Sequence, residues 1–217
     1  MLVKDCMKPN PITVRPDSDP LAGIALCKSG GFGRLPVVDE EGQLVGIVTE
    51  NDLKLFLSTA PSPGVMQRQH RVEQVMSSPV VTVPPEYPIE ETAQLMIEHN
   101  ISGIPVVDQD RRPVGIITHS DVFARFAKAL GANTATLRLT VQVPNRLGEL
   151  AELVLRIAEA GGNICSVVSH CPDDSECLDL TMRVENIQRE DLAQAISTHL
   201  AAEIIHIWEQ GAEEQDR

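Results

Sequence analysis

Leu35-Pro36-Val37-Val38-Asp39, followed by Leu44-Val45-Gly46-Ile47-Val48-Thr49-Glu50-Asn51-Asp52, is the stretch on which the fold turns, because the chain contains it twice. It returns as Ile104-Pro105-Val106-Val107-Asp108 and Pro113-Val114-Gly115-Ile116-Ile117-Thr118-His119-Ser120-Asp121, displaced by 69 positions. The displacement needs no gap between Val3–Leu57 and Val72–Phe126, and 15 of those 55 positions carry the same residue. The identities fall in blocks in the same order, the signature of an internal duplication. A repeat this short cannot bury its own apolar face, so the two copies are expected to pack against one another.

Working outward, Ile12–Val14 reads as a strand stub closed by Arg15-Pro16. Asp19 and Pro20 open a helix running to about Ser29, with Leu21, Ile24 and Ala25 at helical spacing. Leu35–Val38 and Leu44–Val48 are β-branched runs joined by Asp39-Glu40-Glu41-Gly42, a hairpin. Thr49 starts a second helix with Leu53, Phe56 and Leu57 on one face. The second copy repeats the order: a helix over Ile89–Glu98, strands at Ile104–Val107 and Val114–Ile117, and a helix after Thr118.

This doubled pattern resembles the paired cystathionine-β-synthase (CBS) domain, or Bateman module, over residues 1 to about 130. The resemblance implies two βαββα units packed through their sheets, leaving two clefts that take adenosine derivatives such as AMP, ADP, ATP or S-adenosylmethionine. It also implies that Asp52 and Asp121 hold ribose and that Thr49 and Thr118 contact phosphate. Adenine would then lie near Ile12–Val14 with Leu35–Pro36, and near Val81–Val83 with Ile101–Pro105.

The residues themselves allow two readings of Thr-x-x-Asp. A threonine before a helix is an N-cap, and an acid in the first turn complements the helix dipole. The same helix start offers free N–H groups to a phosphate, and a carboxylate one turn in offers two acceptors to a ribose. Gly46 and Gly115 leave the adjoining strands open to close approach. Among cations, Arg34 and His99 match positions where nucleotide-binding members of the family carry phosphate-facing groups. Each has a plainer account, as a surface arginine and a helix-ending histidine. Gly103 stands where Arg34 stands in copy one, so the two clefts are not expected to be occupied equally. Arg15, Arg111, Arg112 and His119 are weaker candidates, and no Walker loop is present.

Beyond Gly131 the pattern changes. Leu137, Leu139, Val141 and Val143 alternate as in a half-buried strand. Pro144-Asn145-Arg146-Leu147-Gly148 is a turn, and Leu147, Leu150, Leu153, Val154 and Ile157 follow at helical spacing up to Gly161-Gly162. Strands at Asn163–His170 and Cys177–Val184, a helix over Arg189–Leu200 and a strand over Ile204–Trp208 complete βαββαβ. With its Val-Pro-Asn-Arg-Leu-Gly-Glu-Leu turn, this segment resembles the ACT domain, which implies a dimer and an amino acid bound at Asn145, Gly148, Glu149 and Leu150. The alternative is that Gly148 serves the turn alone and the sheet edges pair subunits.

The fold class is therefore α+β: two βαββα CBS units as a pair, then a βαββαβ (ferredoxin-like) ACT domain. The division expected is 1–60 and 72–130 for the CBS units, 61–71 and 131–135 for linkers, 136–209 for the ACT domain and 210–217 for an acidic tail. The combination resembles the CBS–ACT family that includes bacterial acetoin-utilisation proteins.

A net charge of −13 argues against nucleic acid as a partner. Residues 131–217 hold 15 acidic and 6 basic groups, which marks the last third as a separate unit. The five cysteines are odd in number and lack Cys-x-x-Cys spacing, so reduced thiols are expected. Cys165 and Cys171 fall on one strand face and His170 on the other, an awkward arrangement for a shared metal. No apolar run reaches the roughly 20 residues of a membrane span, and no secretory signal is visible, so a cytoplasmic protein away from membranes is expected. No nucleophile–base pair or carboxylate dyad emerges, which favours a non-enzymatic sensor with a metabolic enzyme as partner. A dimeric assembly adaptor without a small-molecule ligand is the other reading.

Overall fold

The computed structural model describes residues 1–59, 70–132, 136–172, 176–198 and 201–209. Contacts divide the chain into two units, Met1–Phe123 and Ala124–Arg217. Most of the expected 61–71 linker, the hairpin tip at 173–175 and the acidic tail lie outside the described residues.

In the first unit, copy one begins with a 3-10 turn at Val3–Asp5 and a two-residue strand, β1 (Lys8–Pro9). Helix α1 (Pro20–Gly30) starts where the sequence says it should: Asp19 Oδ1 accepts the Leu21 N–H at 2.9 Å, with proline at the first helical position. Strands β2 (Arg34–Val38) and β3 (Leu44–Thr49) form an antiparallel hairpin with Leu35 opposite Val48. Asp39 Oδ1 ties its turn by accepting the N–H groups of Glu41 and Gln43. Helix α2 (Glu50–Thr59) follows. Copy two repeats this with a 3-10 turn at Val72–Gln74, α3 (Ile89–Glu98), β4 (Gly103–Val107), β5 (Pro113–Thr118) and α4 (His119–Ala129), whose residues from Ala124 on count with the second unit. The stub at Ile12–Val14 contracts to one bridge, Val14 beside Val37, mirrored by Val83 beside Val106. Prolines at 11 and 16 remove ladder donors on either side of it.

The copies interlock by exchanging their leading segments. The Val3 and Lys4 N–H groups donate to the Tyr87 and Pro85 carbonyls, and those of Val72 and Glu73 to the Ser18 and Pro16 carbonyls, all at 2.9–3.0 Å. Next, β1 adds to β5 with Lys8 opposite Ile116, while Ser77 bridges Ile47. Finally, Met7 covers Gly115 and Met76 covers Gly46; a Cβ on either glycine would collide with the methionine sulfur. This corrects the expectation that those glycine faces are open to a ligand: each is filled by the other copy. Val72 also completes the core of copy one, among Val14, Cys27, Leu35, Val37, Val48 and Leu53. Full burial of such side chains contributes about 1.5–3 kcal/mol each, so the exchanged residues are part of the folding energetics of both copies.

The second unit runs β6 (Leu137–Pro144), α5 (Glu149–Glu159), β7 (Asn163–His170), β8 (Cys177–Glu185), α6 (Arg189–Ser197) and β9 (Glu203–Glu209), the βαββαβ order expected. Its antiparallel sheet has the order β7-β8-β6-β9. Leu137, Leu139, Val141 and Val143 of β6 point into one core with Leu153 and Ile157 of α5 and Leu192 and Ile196 of α6. Helix α5 starts later than the apolar spacing suggests. Gly148 caps it at φ +96°, which leaves Leu147 outside the helix and fully exposed. Among the described residues no helix is long and apolar enough to cross a membrane.

Candidate functional site

Among the described residues of the first unit, two crevices take walls from both copies through the segment exchange. The larger, about 630 Å³, lies between Lys8–Ile12 and Gly31–Arg34 of copy one and Thr118–Ser120 of copy two. The smaller, about 260 Å³, lies between Thr49 and Asp52 of copy one and Ser77, Val81 and Asn100–Gly103 of copy two. A helix start of one copy thus faces the leading segment of the other. The 69-residue displacement maps Gly31 onto Asn100, both in left-handed conformation at helix ends (φ +65° and +51°), one in each crevice.

Both Thr-x-x-Asp elements are capping boxes. Thr49 Oγ1 donates to Asp52 Oδ2 at 2.6 Å and accepts the Asp52 N–H at 3.1 Å, while the Thr49 N–H donates to the same Oδ2 at 3.2 Å. Thr118 and Asp121 repeat this at 2.5, 3.4 and 2.9 Å. Oδ1 of each aspartate has no hydrogen-bond partner among the described residues. The two copies then differ. Thr49 and Asp52 both line the smaller crevice, whereas Thr118 lines the larger and Asp121 does not.

Arg34 lies between the crevices and lines both, as does Ser102. Its Nη2 donates to Ser102 Oγ at 2.8 Å, and its guanidinium lies over Gly103, where a Cβ would run into Nη1. Gly103 is the residue equivalent to Arg34, so one arginine fills the space of two. Burial lowers the ionisation of Arg34 below the usual arginine value and the charge of Asp121 opposes this, but a guanidinium stays protonated at neutral pH. Among the described lining residues, Arg34 is the one arginine or lysine of the smaller crevice, while the larger adds Lys8.

His99 is exposed at the end of α3 and lines neither crevice. Arg15 is held by the Asp39 carbonyl at 3.2 Å and Glu40 at 3.4 Å, away from both. Of the proposed adenine surfaces, Ile12 lines the larger crevice and Val81, Ile101 and Pro105 the smaller. Leu35 is fully buried in the core instead. Sequence reasoning included Ser102 only within the adenine surface Ile101–Pro105 and missed Asn10 and Asn100. Asn100 was within reach, because it is the positional equivalent of a helix-ending glycine.

In the second unit, the Asn145 N–H donates to the Glu176 carbonyl at 2.7 Å and its side chain is exposed, within 3.7 Å of Cys171 Sγ. Gly148 has open space where a Cβ would stand. Glu149 is buried and paired with Arg146, and Leu150 is partly exposed. A cavity of about 240 Å³ in this unit involves Leu137, Asn186 and Arg189 and contains none of the four expected residues.

A CBS-domain family profile matches residues 3–59 and again 72–128, together just over half of the chain. One relative is the L-aspartate semialdehyde sulfurtransferase of Methanocaldococcus jannaschii, 35% identical over 125 residues that cover 58% of this chain and 23% of that enzyme. The CBS domain-containing protein YhcV of Bacillus subtilis is 32% identical over 140 residues, covering 64% of this chain and 96% of that protein. Among solved structures, a CBS domain pair in complex with 5′-methylthioadenosine and S-adenosyl-L-methionine is 34% identical with a TM-score of 0.52, covering 59% of this chain and 97% of that one. A chain assigned as the acetoin utilization protein AcuB of Vibrio cholerae is 30% identical with a TM-score of 0.50, covering 59% of this chain and 90% of that one.

Proposed function

The chain belongs to the CBS-domain family, and from that premise we propose that it is a non-enzymatic sensor holding an adenosine derivative in its two crevices. AMP, ADP, ATP and S-adenosylmethionine are the candidate ligands. Asp52 takes the ribose hydroxyls in the smaller crevice, and Asp121, next to the lining residue Ser120, does so in the larger once its side chain turns towards that space; Thr49, Thr118 and Arg34 serve the phosphate or its substitute. The observation that carries the reading is Asp52, whose carboxylate lines a crevice with one oxygen capping α2 and the other unbonded. The adenosine ligands of the solved CBS pair at 34% identity support the same ligand class. The placement of His99 gives it no part in this scheme.

By the same reading the βαββαβ unit is an ACT domain, and the boundaries given above are its proposed division from the CBS pair. An amino acid bound there would meet Asn145, Gly148, Glu149 and Leu150. The open space over Gly148 supports this, while the Arg146–Glu149 pair would have to yield to an incoming carboxylate. The exposed edge strand β7, with Val167 and Val168 on its surface, supports a homodimer that passes the signal to a metabolic enzyme.

Thermal unfolding with adenosine, AMP, ATP and S-adenosylmethionine tests the sensor. A ligand at a hundred times its Kd stabilises by about 2.7 kcal/mol, a readily measured rise in Tm. Asp52→Ala with Asp121→Ala removes the ligand-induced rise, and Asp52→Asn, which keeps an oxygen for the cap, separates capping from binding. A chain indifferent to all four ligands defeats the sensor and leaves the adaptor reading.

A further inference from the structure

We infer that Arg34 is a single phosphate ligand shared by two crevices, so that the pair holds a phosphorylated nucleotide in the larger one and an unphosphorylated nucleoside in the smaller. This rests on the crevice reading above and assigns each crevice its ligand class.

The first ground is steric. Arg34 occupies the space over Gly103, and an arginine at 103 would overlap it. The site between the crevices thus holds one guanidinium, which both walls contain and Ser102 anchors at 2.8 Å. A guanidinium engaged with a phosphate on one side cannot present the same fork to a phosphate on the other.

Charge decides which side holds the phosphate. In the smaller crevice the Asp52 carboxylate lines the wall and Arg34 is the one described cation. A dianionic phosphate there meets a like charge, and it loses its counter-charge whenever Arg34 serves the other crevice. In the larger crevice Lys8 joins Arg34, and Asp121, although its charge is felt at Arg34, is not part of the lining. The volumes agree: about 630 Å³ lies within the roughly 300–1,000 Å³ range typical of small-molecule pockets, and about 260 Å³ falls just below it. The smaller space suits the ligand without phosphate.

Isothermal titration of the full chain tests this with adenosine and AMP as probes. Adenosine should fill two sites per chain and AMP one, and protein saturated with AMP should still take one adenosine. Arg34→Met should weaken AMP by about tenfold or more and adenosine far less, so that the preference for AMP falls. Arg34→Lys, which keeps the charge, should recover part of the loss. Two equivalent AMP sites per chain, or an unchanged preference for AMP over adenosine in Arg34→Met, overturns the sharing while the crevice reading survives. Binding of neither probe by the wild-type chain overturns both.

Discussion

Copy one and copy two trace the same elements, α1 with α3, β2 with β4, β3 with β5 and α2 with α4, although they share only 15 of 55 residues. Several of the shared residues lock the pair or cap its helices. Val3 and Val72 are fully buried in the exchange, Met7 and Met76 cover the glycines of β5 and β3, and the threonine–aspartate boxes cap α2 and α4. Most unshared positions that matter line the crevices: Lys8 against Ser77, Gly31 against Asn100, Arg34 against Gly103. One difference lies in the backbone, since the Leu44 N–H donates to the Arg111 carbonyl at 2.9 Å and its equivalent, Pro113, has no N–H to return the bond. The two copies thus agree at residues that hold the fold together and differ at residues that line the crevices.

The largest test of that division compares the helix residues that seal each copy, Leu53 at 0% exposure and its equivalent Val122 at 3%. Leu53→Ala should cost about 2–5 kcal/mol of unfolding free energy, and Val122→Ala less, because fewer buried methyl groups are deleted. Denaturant titration reads both. A larger loss at Val122 would mean that the copies do not contribute to one interlocked core in proportion to what they bury.

Next in size is the pair of methionine-covered glycines. An added methyl in a well-packed site costs about 1–3 kcal/mol, and Gly115→Ala should lie above Gly46→Ala. At Gly46 the three atoms nearest the methyl all belong to the Met76 side chain, whereas at Gly115 one of them is the Lys8 carbonyl oxygen at 3.3 Å, backbone that is held in the β1–β5 pairing. Shortening the cover with Met76→Ala should recover most of the Gly46→Ala loss, and Met7→Ala should recover less of the loss at Gly115. Equal recovery would show that the backbone contact is immaterial.

These interlocks mark the limit of what the sequence discloses. The hairpins and helices of both copies were legible from β-branched runs, the Asp19–Pro20 start and the repeat itself, since those signals are local. That Val3 hydrogen-bonds near Tyr87, or that Met7 fills the face of Gly115, is set by long-range register that no periodicity encodes. The Thr-x-x-Asp ambiguity had a physical source too: a carboxylate has two oxygens, and Asp52 caps with one while still lining a crevice. The difference between Asp52 and Asp121 was invisible because their local sequences are alike. In the second unit the apolar spacing from Leu147 was misleading, because Gly148 at positive φ moves the helix start past it.

The smallest effect sharpens the comparison most, because it should be equal in one measurement and unequal in another. Thr49→Ala and Thr118→Ala each delete the hydroxyl that closes a capping box, and each should cost about 1 kcal/mol of stability. The boxes match bond for bond, so the two losses should agree within a few tenths of a kcal/mol. Their crevices do not match. Thr118 borders the space with Lys8, His119 and Arg34, so its loss should weaken AMP more than adenosine; Thr49 borders the space with Asp52, so its loss should weaken adenosine in the smaller site and leave AMP alone. Paired denaturation and titration of the two variants read this directly. Unequal stabilities would break the equivalence of the caps, and identical ligand responses would break the division between the crevices.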